Sequence, residues 1–582
     1  MLLRLIVSLF WVASLGLGQD FFPLKDVRAG MHGVGRSVFQ GERIEEFQVE
    51  ILGVLENFGP HQTIVLARLS GGPLADTGVL QGMSGSPVYL DGKLLGAVAL
   101  GFPFAKEPIA GIQPIENMIA DATFGEPAKR VAAIPAPSAA QATGQLTNLP
   151  VAVSFSGFST AALAAYAPQL NRFGFSPQAG LAQLSGGRGS TASSSAGEIV
   201  PGSMISVGLI TGDMNMTADG TVTYVDGKRI YAFGHRFLDA GSVELPFAHS
   251  EVIVSIPTLN SSFKVSAPHA WIGAILSDRS TAVAGEIGRS AHTVPLTITV
   301  NSSTTGAHAY HMQVANDRLL TPFLSQTALF STLDATERSV GAGTLRIEGR
   351  AEFEGGLPAL VMRDVYVSDN ALAQQAVASA IVPLGFVVGG GFANLRLKSL
   401  SFNISQLDSK RQLRLSQAWA SAHEARPGDT LTITVLLEGE NGYEKAQSVK
   451  YKIPIGAAAG VLNFTIGDAT VQNFAEFAGL SQSSLQSAER LIETINQYHS
   501  SEGLFVRIWR PQPAFTVRGP GPNNEMPDPP PSAMLILADP SASASTTATN
   551  AATRGSAVDE LTISVPGYAV SGAKTLQVEI KD

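Results

Sequence analysis

Leu80-Gln81-Gly82-Met83-Ser84-Gly85-Ser86-Pro87-Val88-Tyr89 is the stretch on which the reading of this chain turns. A serine sits inside a Gly-x-Ser-Gly-x-Pro frame. Behind it come the apolar run Val88-Tyr89-Leu90, the turn pair Asp91-Gly92 and a second apolar run from Leu94 to Leu100. Glycines on both sides of Ser84 let the backbone turn sharply, so that N–H groups can converge on a developing oxyanion. The runs flanking Asp91-Gly92 predict a hairpin that forms the floor of the site. The same ten residues also fit an ordinary Gly/Ser turn between two strands, so the decision falls to the rest of the chain.

At 582 residues the chain is too long for one core, and a prior of roughly 150 residues per domain suggests about four units. With 45% hydrophobic and 15% charged residues it reads as globular; 59 glycines and 33 prolines favour many turns and short strands, hence a mainly β architecture. A net charge of -9 without a basic stripe argues against a nucleic-acid partner. The absence of cysteine removes disulfides, thiolate metal sites and cysteine nucleophiles together. At the N-terminus, Arg4 precedes an apolar stretch from Leu5 to Leu15, and Gly16-Leu17-Gly18 offers small residues for cleavage. Residues 1–18 therefore read as a signal peptide, and the expected location is secreted or periplasmic. No later stretch reads as a membrane span: Ile381 to Val388 is apolar, but Pro383 and Gly389-Gly390-Gly391 break it.

Residues 20–125 read as strands with one late helix, at Pro114–Ala120. Phe47 to Leu55 opens with clean alternation, and Thr63 to Leu69 is a second apolar strand. An Ala/Pro-rich linker and an inserted segment fill 126–197, ending in the Gly/Ser-rich stretch Ser185–Gly197. Strands return at 198–300, where Thr221-Val222-Thr223-Tyr224-Val225, Asp226-Gly227 and Arg229-Ile230-Tyr231-Ala232-Phe233 predict a hairpin. An α+β extension is expected at 301–400, with helices at Leu319–Leu333 and Ala371–Ala380. A small immunoglobulin-like β-sandwich follows at 401–470, led by the alternating strand Thr430–Leu436. A helix over Ser484–Gln497 and a proline-rich segment occupy 471–535. A low-complexity linker follows at 536–556, and terminal strands at 557–582 pack back on the sandwich.

A serine nucleophile needs a base, and among ten histidines His235 stands out. It follows the second strand of the predicted hairpin in Phe233-Gly234-His235-Arg236-Phe237-Leu238-Asp239, where a strand end preceded by glycine projects a side chain into a cleft. The competing reading is a turn histidine in a β-rich domain. His308 and His311 lie three apart, but no acid beside them completes a metal set.

Three blocks together resemble the SpoIVB peptidase family, named for the stage IV sporulation protein B. They are Gln81 to Pro87 with Asp91 to Val98; Ile44 to Leu52; and Gly220 to Tyr224 leading to Phe233-Gly234-His235, with Asp278-Arg279 and Gly285-Glu286-Ile287-Gly288. The resemblance implies a trypsin-like double β-barrel and a serine endopeptidase acting on exported or membrane proteins. By motif it makes Ser84 the nucleophile and His235 the base, with no metal or organic cofactor. Two departures mark this chain. Familiar members run His half first, behind a PDZ domain; here the Ser half comes first, as in a circular permutation, and no PDZ domain is found. Their upstream acid is replaced by Leu69-Ser70-Gly71-Gly72, leaving Asp76, Asp239 and Asp278 as candidates for the third role. Gly82 and Ser84 N–H are the expected oxyanion donors.

The expected partner is a protein or peptide substrate, with a cell-envelope partner for the C-terminal sandwich. The alternative is a catalytically inactive peptidase-fold scaffold of the envelope, and a third reading has the chain cut its own loop near Ser185–Gly197.

Overall fold

A computed structural model describes residues 21–59, 62–122, 145–178, 198–302, 306–336, 340–392, 395–478, 487–511, 515–517, 546–548 and 555–581. The segments expected to be a signal peptide, an Ala/Pro-rich linker and a loop over Ser185–Gly197, with most of the proline-rich and low-complexity stretches, lie outside these residues. The chain divides into two compact units. The first comprises Met1–Phe155, Ala167–Gly208 and Met216–Ala291; the second comprises Ser156–Tyr166, Leu209–Asn215 and His292–Asp582.

The first unit holds two barrels. Strands β1 (His32–Val38), β2 (Ile44–Gly59), β3 (Gln62–Ser70), β4 (Pro87–Leu90), β5 (Lys93–Gly101) and β6 (Ile109–Pro114) run in the order β4-β1-β2-β3-β6-β5. A further β4–β5 pairing closes the ring. Alternation in the sequence becomes inside and outside here: Phe47, Val49 and Ile51 of β2 are buried with Val65, Ala67 and Leu69 of β3 around them. Helices α1 (Leu74–Thr77) and α2 (Ile115–Asp121) flank the barrel, with Pro114 as the N-cap of α2.

After β7 (Thr147–Asn148), β8 (Val151–Ser156), helix α3 (Thr160–Arg172) and β9 (Phe175–Gln178) comes the second ring. Its strands are β10 (Met204–Gly212), β11 (Asn215–Asp226), β12 (Arg229–Ala232), β13 (Gly241–Ile256), β14 (Phe263–Arg279) and β15 (Ala282–Ile287). They run β10-β13-β14-β15-β12-β11, and a β10–β11 pairing closes them. The hairpin expected at Asp226-Gly227 is β11–β12. The Ser84 barrel precedes the His235 barrel along the chain. The fold class is the expected one: mainly β, with a trypsin-like core.

The second unit carries β16 (Thr293–Ser302), β17 (Gly306–Ala315), β18 (Val340–Phe353), β19 (Leu360–Asn370) and β20 (Leu397–Leu407), with helices α4 (Leu320–Thr336) and α5 (Leu372–Gly389). Three sequence expectations change here. Helix α5 runs on through Pro383 and reaches 18 residues at a mean hydropathy of 1.6, so by length and composition it could cross a membrane. Its Ala376, Ala380 and Leu384 are buried, while Val382 and Phe386 face outward. Second, β20 is not a sandwich strand. It pairs parallel with β16 and antiparallel with β18, because its alternating apolar residues Leu400, Phe402 and Ile404 complete that sheet's core.

Third, the sandwich reaches well beyond residue 470. One sheet joins Gln412–Ala420, Thr430–Glu438, Glu444–Lys452 and Ala569–Ser571. The other joins Glu424–Ala425, Gly460–Gly467, Gly503–Arg510, Ser556–Ser564 and Ala573–Ile580. Gly503–Arg510, unassigned by the sequence reading, pairs on both sides, with Leu504, Val506 and Ile508 buried.

Candidate active site

The Ser84 turn is a loop of the first barrel held by the second. Within it, Met83 N–H donates to Leu80 O and Ser86 N–H to Met83 O, while Gly85 N–H donates to Val98 O on β5. Gly82 and Gly85 have φ of 90° and 96°. A Cβ on Gly85 would collide with Thr221 O and Phe233 N, so glycine is required by both conformation and space. Three of its carbonyls accept from the second barrel: Gly82 O from Thr221 Oγ1 (2.8 Å), Ser84 O from Thr221 N–H (2.8 Å) and Gly85 O from Thr223 Oγ1 (2.7 Å). With the N–H groups of Met83, Gly85 and Ser86 spent inside the fold, those of Gly82 and Ser84 are the ones left for an oxyanion among the described residues.

His235 is brought to the same junction by two consecutive left-handed residues. Phe233 has φ 66° and Gly234 φ 70°, turning the chain off the end of β12. A bulky residue at positive φ is strained by about 1–3 kcal/mol and persists only where the surroundings hold it. The hold is visible: Phe233 is fully buried, its ring fills the space a Gly220 side chain would take, and its N–H donates to Thr221 O. Gly234 lies against Ala97 and the Val98 carbonyl, the same carbonyl that receives Gly85 N–H. The nucleophile turn and the histidine loop thus share Thr221, Phe233 and Val98 as common supports.

Ser84 is fully buried and His235 only 2% exposed; Ser84 Oγ and His235 Nε2 both lack a hydrogen-bond partner among the described residues. His235 Nδ1 lies 2.7 Å from Arg236 O. A carbonyl only accepts, so Nδ1 carries the proton and Nε2 presents its lone pair. Burial lowers the His235 pKa to about 4, keeping the ring neutral.

None of the three expected acids is bonded to the imidazole. Asp278 is buried, but its oxygens accept Phe237 N–H (2.8 Å), Leu238 N–H (2.7 Å) and Ala240 N–H (3.1 Å), so it secures the loop behind His235. Burial raises its pKa to about 6 against those donors. Asp239 and Asp76 are exposed, the latter on α1. Asp278 is a loop anchor here, and Arg236 O occupies the orienting position behind the ring.

Sequence reasoning missed Lys264 and Asp219. Lys264 is fully buried on β14; Nζ donates to Ser37 Oγ (2.8 Å) and approaches Gly82 O (3.4 Å). Ser86 Oγ also donates to Ser37 (2.9 Å), so one network reaches both ends of the nucleophile turn. Burial lowers the Lys264 pKa to about 7. Asp219, two residues before Thr221 and on the same strand face, accepts from Ser154 Oγ (2.8 Å) and Ser206 Oγ. Burial raises it to about 6. Alternation in Asp219-Gly220-Thr221-Val222-Thr223 was the available signal, but nothing in the sequence says that the polar face of this strand points inward.

Strand β9 lies against both loops. Phe175 packs on Phe237 with ring centroids 5.0 Å apart, and Gln178 Nε2 donates to Gln81 Oε1 (3.1 Å).

Residues 24–119 match the family model described as SpoIVB peptidase S55. That segment contains Ser84 and all six strands of the first barrel, and over it the resemblance to a serine peptidase family holds. No curated protein and no solved structure matches the chain.

Proposed function

We propose, from the kinship of residues 24–119 with the SpoIVB peptidases, that this chain is an exported serine endopeptidase working through Ser84 and His235. The observation that supports the reading is that the Gly-flanked serine turn and the loop of a neutral histidine rest on the same residues, Thr221, Phe233 and Val98; Ser84 Oγ and His235 Nε2 are not hydrogen-bonded to each other, and each is left without a partner among the described residues. His235 Nε2 takes the Ser84 proton as Oγ attacks the scissile carbonyl of a protein or peptide substrate. The oxyanion is met by Gly82 and Ser84 N–H. His235 then gives the proton to the leaving amine as the C–N bond breaks, and water, deprotonated by the same ring, releases the acyl group. Arg236 O supplies the tautomer but carries no charge to stabilise the imidazolium. Loss of a triad carboxylate costs about 10⁴ in turnover when the tautomer is lost with it; with the tautomer kept, the enzyme falls between that limit and a full triad.

A catalytically inactive envelope scaffold is the second reading, and one observation favours it: Ser84 and His235 are buried, so an extended substrate reaches Oγ only after a covering segment moves. A small fluorophosphonate probe separates the two. The peptidase reading expects covalent labelling of the wild type at Ser84 and none of Ser84→Ala. Equal labelling of both proteins, or of neither, overturns it.

A further inference from the structure

A second constellation of chemistry-bearing side chains sits in the first unit, apart from Ser84 and His235. Glu42 lies in the turn between β1 and β2, His249 on β13 and His269 on β14. One ligand atom from each lies within 4.8 Å of the others. The backbone builds this meeting. Gly41 and Val252 exchange two hydrogen bonds, of 2.7 and 2.8 Å, which dock the β1–β2 turn of the first barrel onto β13 of the second. On β13–β14, Ala248 pairs with Trp271 but Ser250 pairs with Pro268, so His249 faces two residues, His269 and Ala270. Such a bulge re-aims side chains, and the two imidazoles end up stacked at 5.9 Å with 16° between planes.

His249 is 4% exposed, and its buried Nδ1 has no hydrogen-bond partner among the described residues. A buried imidazole nitrogen with nothing to bond is costly by about 1–3 kcal/mol. His269 Nε2 and Glu42 Oε1 meet at 2.7 Å at the surface, with side chains 35% and 41% exposed. We propose that Glu42, His249 and His269 bind one divalent transition-metal ion, with zinc the ion whose ligand preferences fit, as a clamp between the two barrels.

Two imidazoles and one carboxylate form a donor set that zinc accepts, with solvent in the fourth position, whereas calcium and magnesium demand oxygen donors. Zinc bonds of about 2.0–2.1 Å in a tetrahedron separate donor atoms by about 3.3 Å. The His269–Glu42 pair therefore opens by about half an ångström, with the metal replacing the proton between them, while His249 closes in. The site uses no residue of the Ser84 turn, so it stands or falls apart from the peptidase reading.

The test is calorimetric titration of the chelator-treated full chain with zinc chloride, in the wild type, Ser84→Ala, His269→Ala and Glu42→Ala. Because His269 and Glu42 are exposed, their variants are expected to keep the wild-type circular dichroism spectrum. The expected result is one zinc per chain in the wild type and in Ser84→Ala, a melting temperature raised by zinc in both, and affinity weakened about 100-fold or more in His269→Ala and Glu42→Ala. No binding by the wild type, or wild-type affinity in either ligand variant, overturns the proposal.

Discussion

Burial changes what His235 does with pH, against the opposing pull of its hydrogen bond to the Arg236 carbonyl. A general base works while neutral, and burial lowers the His235 pKa to about 4. In the peptidase reading, kcat/KM therefore falls as pH drops through about 4 and shows no inflection from this group near the ordinary histidine value of about 6.5. A pH–rate profile checks this, and an acid limb centred near 6.5 contradicts it. At this scale the sequence was legible where chemistry needs a fixed local frame. Gly82, Ser84 and Gly85 announce their turn because only glycine tolerates φ near 90° there, and Gly234 before His235 announces a strand-end projection. The third partner was not legible. A carboxylate was sought by residue type, while the atom found behind the ring is a main-chain oxygen, which every residue possesses and no motif can mark.

Strand β9 gives the clearest consequence at the scale of elements. It touches the histidine loop through Phe175–Phe237 and the nucleophile turn through Gln178–Gln81. If it covers the buried pair, weakening it speeds access. Gln178→Ala removes the hydrogen bond at the turn, worth about 1 kcal/mol, and is expected to raise the rate of fluorophosphonate labelling about fivefold with the melting temperature little changed. Unchanged labelling kinetics would mean that β9 does not limit access. Phe175 is a poorer test, because it is 2% exposed and its truncation costs about 3–5 kcal/mol of packing. Elements with strict period-2 alternation, such as β2 and Thr430–Glu438, were read with their correct type. The sequence reading ends helix α5 at Ala380, short of Pro383, a residue type that usually ends a helix. Its continuation keeps Leu384 and Val387 on the buried face established by Val377 and Ala380, a tertiary gain invisible to local propensity.

At the scale of the whole molecule, both barrels follow from alternation and turn chemistry, whereas strand partnership does not. The sequence contains β20 and Gly503–Arg510 as apolar runs, yet which sheet each joins depends on contacts with residues about 40–105 positions away. The same long-range folding buries four ionisable groups around the Ser84–His235 junction and so makes stability depend on pH. Asp219 and Asp278 are raised to about 6 from 3.8, so between those values the folded state binds more protons than the unfolded one, and stability falls as pH rises. His235, lowered to about 4 from 6.5, acts in the opposite sense and offsets one of them. Above neutrality Lys264 acts alone among the four. Its folded pKa is about 7 against 10.5 unfolded, so the unfolded state binds the extra proton and stability rises from pH 7 towards 10.5. Between pH 7 and pH 9 this group contributes up to about 2 kcal/mol of the rise. Lys264→Met removes the titrating group together with its bonds to Ser37 and Gly82. The diagnostic quantity is the change in its urea midpoint between pH 7 and pH 9. If Lys264 is neutralised by burial, the wild-type midpoint climbs over that interval and the variant's climbs distinctly less. Parallel midpoints would mean that Lys264 stays charged inside the fold, held by Ser37 and the Gly82 carbonyl as a fixed cation beneath the nucleophile turn.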